Sequence, residues 1–146
     1  MTIREMTIGD YDAVRALWMS CKNMGFNTLD DSREGIERLL RRNPGVCFVA
    51  KDGDALAGVI LAGQDGRRGY VYHMSVAEAY RRRGVGSALV GKCLAALKAE
   101  GINKVALLVF KYNDAGNAFW ERMGFSLRDD LNYRNRALAE LVRIDT

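Results

Sequence analysis

The chain has 146 residues, 49% of them hydrophobic and 27% charged, with a net charge of +4 and a single histidine. That length suits one domain, residues 1–146, with a real core, and no run of about 18 apolar residues offers a membrane span. The basic residues are spread along the chain without interleaved aromatics, which sets nucleic acid aside as a partner. Cys21, Cys47 and Cys93 are scattered in apolar surroundings and fit neither a disulfide framework nor a zinc site, so no metal is expected. The opening MTIREMTIGD lacks the apolar core of a secretory signal, so the expectation is a cytoplasmic protein with reduced thiols.

Thr2–Met6 alternates and predicts a first strand. Asp10 is placed to cap a helix running to about Cys21, with Tyr11, Val14, Leu17 and Trp18 on one face. Asn23–Asp31 reads as a loop whose Met24, Phe26 and Leu29 match no periodic element. Asp31 and Glu34 have capping-box spacing for a helix to about Arg42, with Ile36, Leu39 and Leu40 inward. Asn43-Pro44-Gly45 ends it. Val46–Lys51 and Ala55–Gly63 flank the turn Asp52-Gly53-Asp54 and form a hairpin. After a polar turn at Gln64–Gly69 comes the strand Tyr70–Val76.

The next helix carries Val85, Leu89, Cys93 and Leu97 at helical spacing, with Val90 and Leu94 beside them, and Gly101 follows its end. Lys104–Phe110 is almost wholly apolar and reads as a strand buried on both faces. Asp114–Met123 reads as a helix with Ala115, Ala118, Phe119 and Met123 inward, closed by Gly124. Phe125–Asn132 and Leu138–Ile144 are the last expected strands.

Chemistry concentrates where the Tyr70–Val76 strand meets the next helix. A helix N-terminus presents unpaired N–H groups and the positive end of the dipole, which suits an anion. Gly84 and Gly86 leave the backbone open to close approach, and Arg81, Arg82 and Arg83 add positive charge. Three arginines in a row also occur as a solvated turn, but here a strand precedes them and an amphipathic helix follows.

Arg81-Arg82-Arg83-Gly84-Val85-Gly86 resembles the Arg/Gln-x-x-Gly-x-Gly/Ala signature of the GNAT superfamily of acetyl-CoA-dependent N-acetyltransferases. The preceding VAEAY lacks the proline common at that junction. A second match, Asn113 with Trp120-Glu121-Arg122-Met123-Gly124-Phe125, resembles the family's Asn…Tyr-Glu-x-x-Gly-Phe, with tryptophan in place of tyrosine. The resemblance implies an α/β fold in the order β-α-α-β-β-β-α-β-α-β-β. It also implies a mixed sheet whose parallel strands Tyr70–Val76 and Lys104–Phe110 splay apart around the pantetheine arm of acetyl-CoA.

The same resemblance implies that backbone groups of Met74 and Val76 pair with pantetheine. The N–H groups from Arg82 to Ser87, with Val85 among them, would hold the pyrophosphate, beside Arg81. Asn113 and Trp120 would lie near the pantetheine; the alternative for Asn113 is a cap on the helix at Asp114. The acceptor side would draw Met24, Phe26 and Asp31 from the first inter-helix loop and Tyr72 from the strand.

An alkylammonium acceptor must lose a proton before attack, at a cost of roughly 4–5 kcal/mol near pH 7. Neither Val71–Val76 nor Val105–Phe110 carries a carboxylate, which leaves Glu78 as the nearest acid. His73, the only histidine, is a further candidate proton acceptor or else a hydrogen-bonded structural residue, and it should face away from Tyr72 by strand alternation unless a bulge reverses it. Tryptophan at position 120 cannot protonate the leaving thiolate, and Tyr133 is the phenol best placed to replace it. The expected function is acetyl transfer from acetyl-CoA to a primary amine of a small or amino-acid-like molecule, with a homodimer left open. The rival is a non-catalytic acyl-CoA-binding module, to which the missing strand carboxylate and Trp120 give weight.

Overall fold

The computed structural model describes residues 1–146. Strand β1 (Thr2–Glu5) leads through a single 3-10 turn at Ile8–Asp10 into α1 (Tyr11–Ser20). Then follow β2 (Gly25–Asn27), α2 (Arg33–Arg42), β3 (Phe48–Asp52), β4 (Ala55–Gln64) and β5 (Gly69–Val76). A second 3-10 turn at Glu78–Tyr80 precedes α3 (Val85–Ala99), β6 (Val105–Ala106), α4 (Asp114–Arg122) and β7 (Arg143–Asp145). The main sheet runs β1-β3-β4-β5-β6, antiparallel except for the parallel β5–β6 pair; β2 and β7 form a separate antiparallel ribbon.

Helix α1 buries the four residues its spacing predicts, Tyr11, Val14, Leu17 and Trp18. Helix α3 buries Val85, Leu89, Val90, Cys93 and Leu97 against the sheet. Each such aliphatic burial contributes about 1.5–3 kcal/mol. Gly58 lets α3 settle closely, since a β-carbon there would lie 2.9 Å from the Ser75 carbonyl and 3.0 Å from Leu89. Gly53 and Gly101 take the left-handed conformations that the hairpin turn and the end of α3 require.

Several local expectations are corrected. Asp10 makes no side-chain cap for α1; it accepts the Thr7 N–H at 2.9 Å and both arms of Arg4, closing a capping box on the preceding 3-10 turn. Ser32, not Asp31, caps α2 by accepting the Gly35 N–H at 3.0 Å. The Asn23–Asp31 loop contains β2, and Phe26 within it is buried. Strand pairing at Lys104–Phe110 stops after Ala106, and Leu108 is 70% exposed, so this run is not buried on both faces. Ala115 and Ala118 are exposed; α4 docks through Phe119 and Met123 instead. Phe125–Asn132 forms no strand, and of Leu138–Ile144 only the end pairs, through β7 with β2.

Candidate active site

Strands β5 and β6 are paired only at Gly69–Val105 and Tyr70–Ala106. Beyond that point β6 departs, and the edge of β5 from Val71 to Val76 has no strand beside it. The Ala77 N–H donates to Ala57 O at 2.8 Å, while Val59 faces Ser75 and Gly58 faces Val76. Ladder alternation therefore turns both backbone groups of Val76, and the carbonyl of Met74, toward this open edge.

At the end of that edge the chain coils into α3. Arg82 and Gly84 are both left-handed, with φ of 61° and 78°. The Ala88 N–H is the first of the helix to find a backbone acceptor, Gly84 O at 3.0 Å, and no side chain caps the turn. The N–H groups of Val85, Gly86 and Ser87 have no cap or backbone acceptor, whereas Ser32 and Asn113 cap α2 and α4. Arg81, Arg82 and Arg83 are exposed around them. Arg83 lies over the Tyr80 ring at 5.6 Å, and the Tyr80 hydroxyl donates to Asp52 at 3.0 Å. Arg81 turns back instead, donating from Nε to Val76 O at 3.1 Å. This cradle of free N–H groups, positive charge and an open strand edge fits a diphosphate joined to an amide-bearing arm.

On the opposite face of β5 the sequence is bulged. Leu61 pairs with Tyr72 and Val59 with Ser75, so one extra residue sits in β5, and His73 adopts φ of 48°. The bulge reverses the alternation and puts His73 on the same side as Tyr72, facing the 24–31 loop. His73 Nε2 donates to Asp31 Oδ1 at 2.7 Å, the carboxylate being able only to accept. Its ring meets Trp18 and Phe26 edge-on, at 5.1 and 5.0 Å between centroids. The His73 carbonyl accepts from Trp18 Nε1 at 3.3 Å and from Ser75 Oγ at 3.1 Å. Asp31 Oδ2 accepts the Asn27 N–H at 2.9 Å, and Ser75 Oγ also reaches Met24 Sδ at 3.7 Å.

Tyr72 projects beside this cluster, its phenol pushed up mainly by burial, then by the neighbouring Tyr70, Tyr133 and Asp30. Tyr133 stands 67% exposed on a groove of about 590 Å³ lined also by Gly25–Asn27, Phe110, Arg136 and Asp145. Glu78 is exposed in the turn beyond β5 and its side chain has no partner. Asn113 accepts the Gly116 N–H at 2.9 Å and caps α4. Trp120 is half-buried between Phe119 and Phe125, edge-on to each at 5.0 Å. Burial pushes the Cys47 thiol up to about 11 and that of Cys93 to about 12, so neither is a nucleophile near neutrality. No three His, Cys, Asp or Glu side chains are grouped to hold a metal ion, and no helix is long and apolar enough to cross a membrane.

The partners of the predicted residues were less visible than the residues themselves. Trp18, Asn27 and Ser75 surround His73 and Asp31 from three separate elements, and no spacing in the sequence joins them. A tryptophan near the end of an otherwise short helix was the one available signal.

The chain belongs to the acetyltransferase (GNAT) family, whose model matches residues 11–125. It is 31% identical over 140 residues to an acetyltransferase of Sodalis glossinidius, covering 96% of this chain and 97% of that one. Its structure is similar to Ard1 from Thermoplasma volcanium, with a TM-score of 0.77, 25% identity, and coverage of 87% of this chain and 83% of that one. An aminoglycoside N-acetyltransferase in complex with CoA shares the fold at a TM-score of 0.71 and 18% identity, covering 93% and 100% of the two chains. The protein is an acetyltransferase, and acetyl-CoA is its co-substrate.

Proposed function

We propose that residues 1–146 act as one cytoplasmic N-acetyltransferase domain that moves the acetyl group of acetyl-CoA to a primary amine of a small or amino-acid-like molecule. One observation carries this reading: the uncapped start of α3 lies at the end of the open edge of β5, the strand whose Tyr72 neighbours Tyr133 on the groove. Pyrophosphate would rest on the N–H groups of Val85, Gly86 and Ser87, with Arg82 and Arg83 beside them. The pantetheine amides would pair with Met74 and Val76, which requires Arg81 to release the Val76 carbonyl. Bound acetyl-CoA supplies an activated acetyl thioester at the far end of that edge.

Tyr72, Tyr133 and Asp30 offer a cationic amine an aromatic and anionic surrounding. Met24, Phe26 and Asp31 fix the loop that closes it. Arg136 on the same groove suits a carboxylate on the acceptor. The groove is lined on one side by Arg143 and Asp145 of β7, which favours a compact acceptor over an extended peptide. Three unpaired, buried cysteines support a reducing compartment.

In balance, the bound ammonium first gives one proton to water; a bond then forms between the amine nitrogen and the acetyl carbon, the carbon–sulfur bond breaks, and the second proton lost by the nitrogen balances the one the thiolate takes up. His73 Nε2 is committed to Asp31, so the proton from the amine passes through water, with exposed Glu78 as the proposed final acceptor. Tyr133 is the hydroxyl offered to the departing sulfur, while Trp120 packs as a wall. The test is kcat/KM over free amino acids, polyamines, aminoglycosides and matched peptides. Higher values for the small amines support the reading, and a clear preference for peptides overturns it.

A further inference from the structure

The bulge in β5 faces two ways. On one side its peptide orientation sends the Met74 carbonyl and both Val76 groups to the open edge. On the other it carries His73 to Asp31 at 2.7 Å. A regular, unbulged strand would turn the His73 ring toward α3 and break that contact. The left-handed backbone at His73, with φ of 48°, is disfavoured for a residue with a side chain and persists only where its surroundings hold it. Here the holding groups are the Trp18 indole, the Ser75 hydroxyl and Asp31.

These same groups fix the 24–31 loop. Asp31 accepts the Asn27 N–H, Ser75 reaches Met24, and Phe26 packs on both His73 and Trp18 at 5.0 and 5.5 Å. We propose that the Asp31–His73 contact couples the two substrate sites, so that filling the β5 edge with CoA and closing the 24–31 loop favour one another. The two-state element is the bulge itself, and linkage makes the effect reciprocal. Asp31 and His73 are thus positioning residues. The inference rests on the reading that CoA pairs along Met74 and Val76.

The experiment is hydrogen–deuterium exchange of the full chain with and without saturating CoA, for the wild type, His73→Ala and Asp31→Asn. In the wild type, CoA slows exchange at the start of α3 and, by about tenfold, in residues 24–31. In either variant the slowing at α3 persists while the CoA-dependent ratio in the loop falls to about one. A purely structural pair would speed loop exchange equally with and without CoA, leaving that ratio intact, and this result would overturn the proposal. So would wild-type protection confined to α3. Protection in neither region would reject the cofactor seat itself, and this inference with it. Asp31→Asn keeps volume and an acceptor for Asn27, so the test stands if His73→Ala fails to fold.

Discussion

A β-carbon on Gly86 would lie 3.3 Å from Cζ of Phe119 and 3.6 Å from Cγ2 of Val76. The position is therefore a junction of α3, α4 and β5 as well as part of the proposed phosphate seat. Gly86→Val should lower stability by about 1–3 kcal/mol through overpacking, and weaken CoA binding as Phe119 and α4 shift. Urea unfolding beside calorimetry checks both. An unchanged midpoint would show that Phe119 gives way freely.

The strand-to-helix junction proposed as the phosphate seat is legible in the sequence because its parts are contiguous: a strand, three arginines, two glycines and an amphipathic helix. The same holds for the buried faces of α1 and α3, where one helical period sets four or five inward residues. Other features depend on distant partners. Asp31 has capping spacing, yet His73, some forty positions on, claims its carboxylate, and Ser32 takes over the cap. The apolar run Lys104–Phe110 reads as a buried strand, but β6 must leave β5 after two residues to open the edge, which exposes Leu108. At Asn113 the cap reading is the one seen in the structure, while its place near the pantetheine stays a proposal.

Ser87 separates the backbone contribution to the seat from the side chain. Proline is tolerated in the first helical turn and deletes one of the three free N–H groups. Ser87→Pro should weaken CoA binding about tenfold, or about 1.4 kcal/mol, with little change in thermal stability. Ser87→Ala keeps the N–H and should bind as the wild type does. Equal affinities for both variants in calorimetry would remove the Ser87 N–H from the seat.

Asp10 gives a prediction with a defined pH sense. The hydrogen bonds from Arg4, at 2.7 and 2.9 Å, hold its carboxyl below the ordinary value. A folded-state pKa below the unfolded one contributes stability that is present above the unfolded value of about 3.9 and lost as pH falls through the folded value. Asp10→Asn retains one acceptor oxygen for the Thr7 N–H and removes the charge together with the second acceptor for Arg4. It should cost about 0.5–1 kcal/mol at neutral pH, and the difference from wild type should close on acidification to about pH 2. Thermal unfolding of the two proteins across that range checks it; a gap that widens in acid would contradict the sign.

The proposed function requires the groove beside Tyr72 and Tyr133 to deliver a primary amine to acetyl-CoA held at the start of α3. Release of free CoA thiol from acetyl-CoA, followed with and without a panel of small primary amines, tests it most directly. The expected result is release that depends on the amine, saturates in both substrates, yields N-acetylated product by mass and falls in the Ser87→Pro variant. Tight binding of acetyl-CoA with no amine-dependent release from any member of the panel would contradict it.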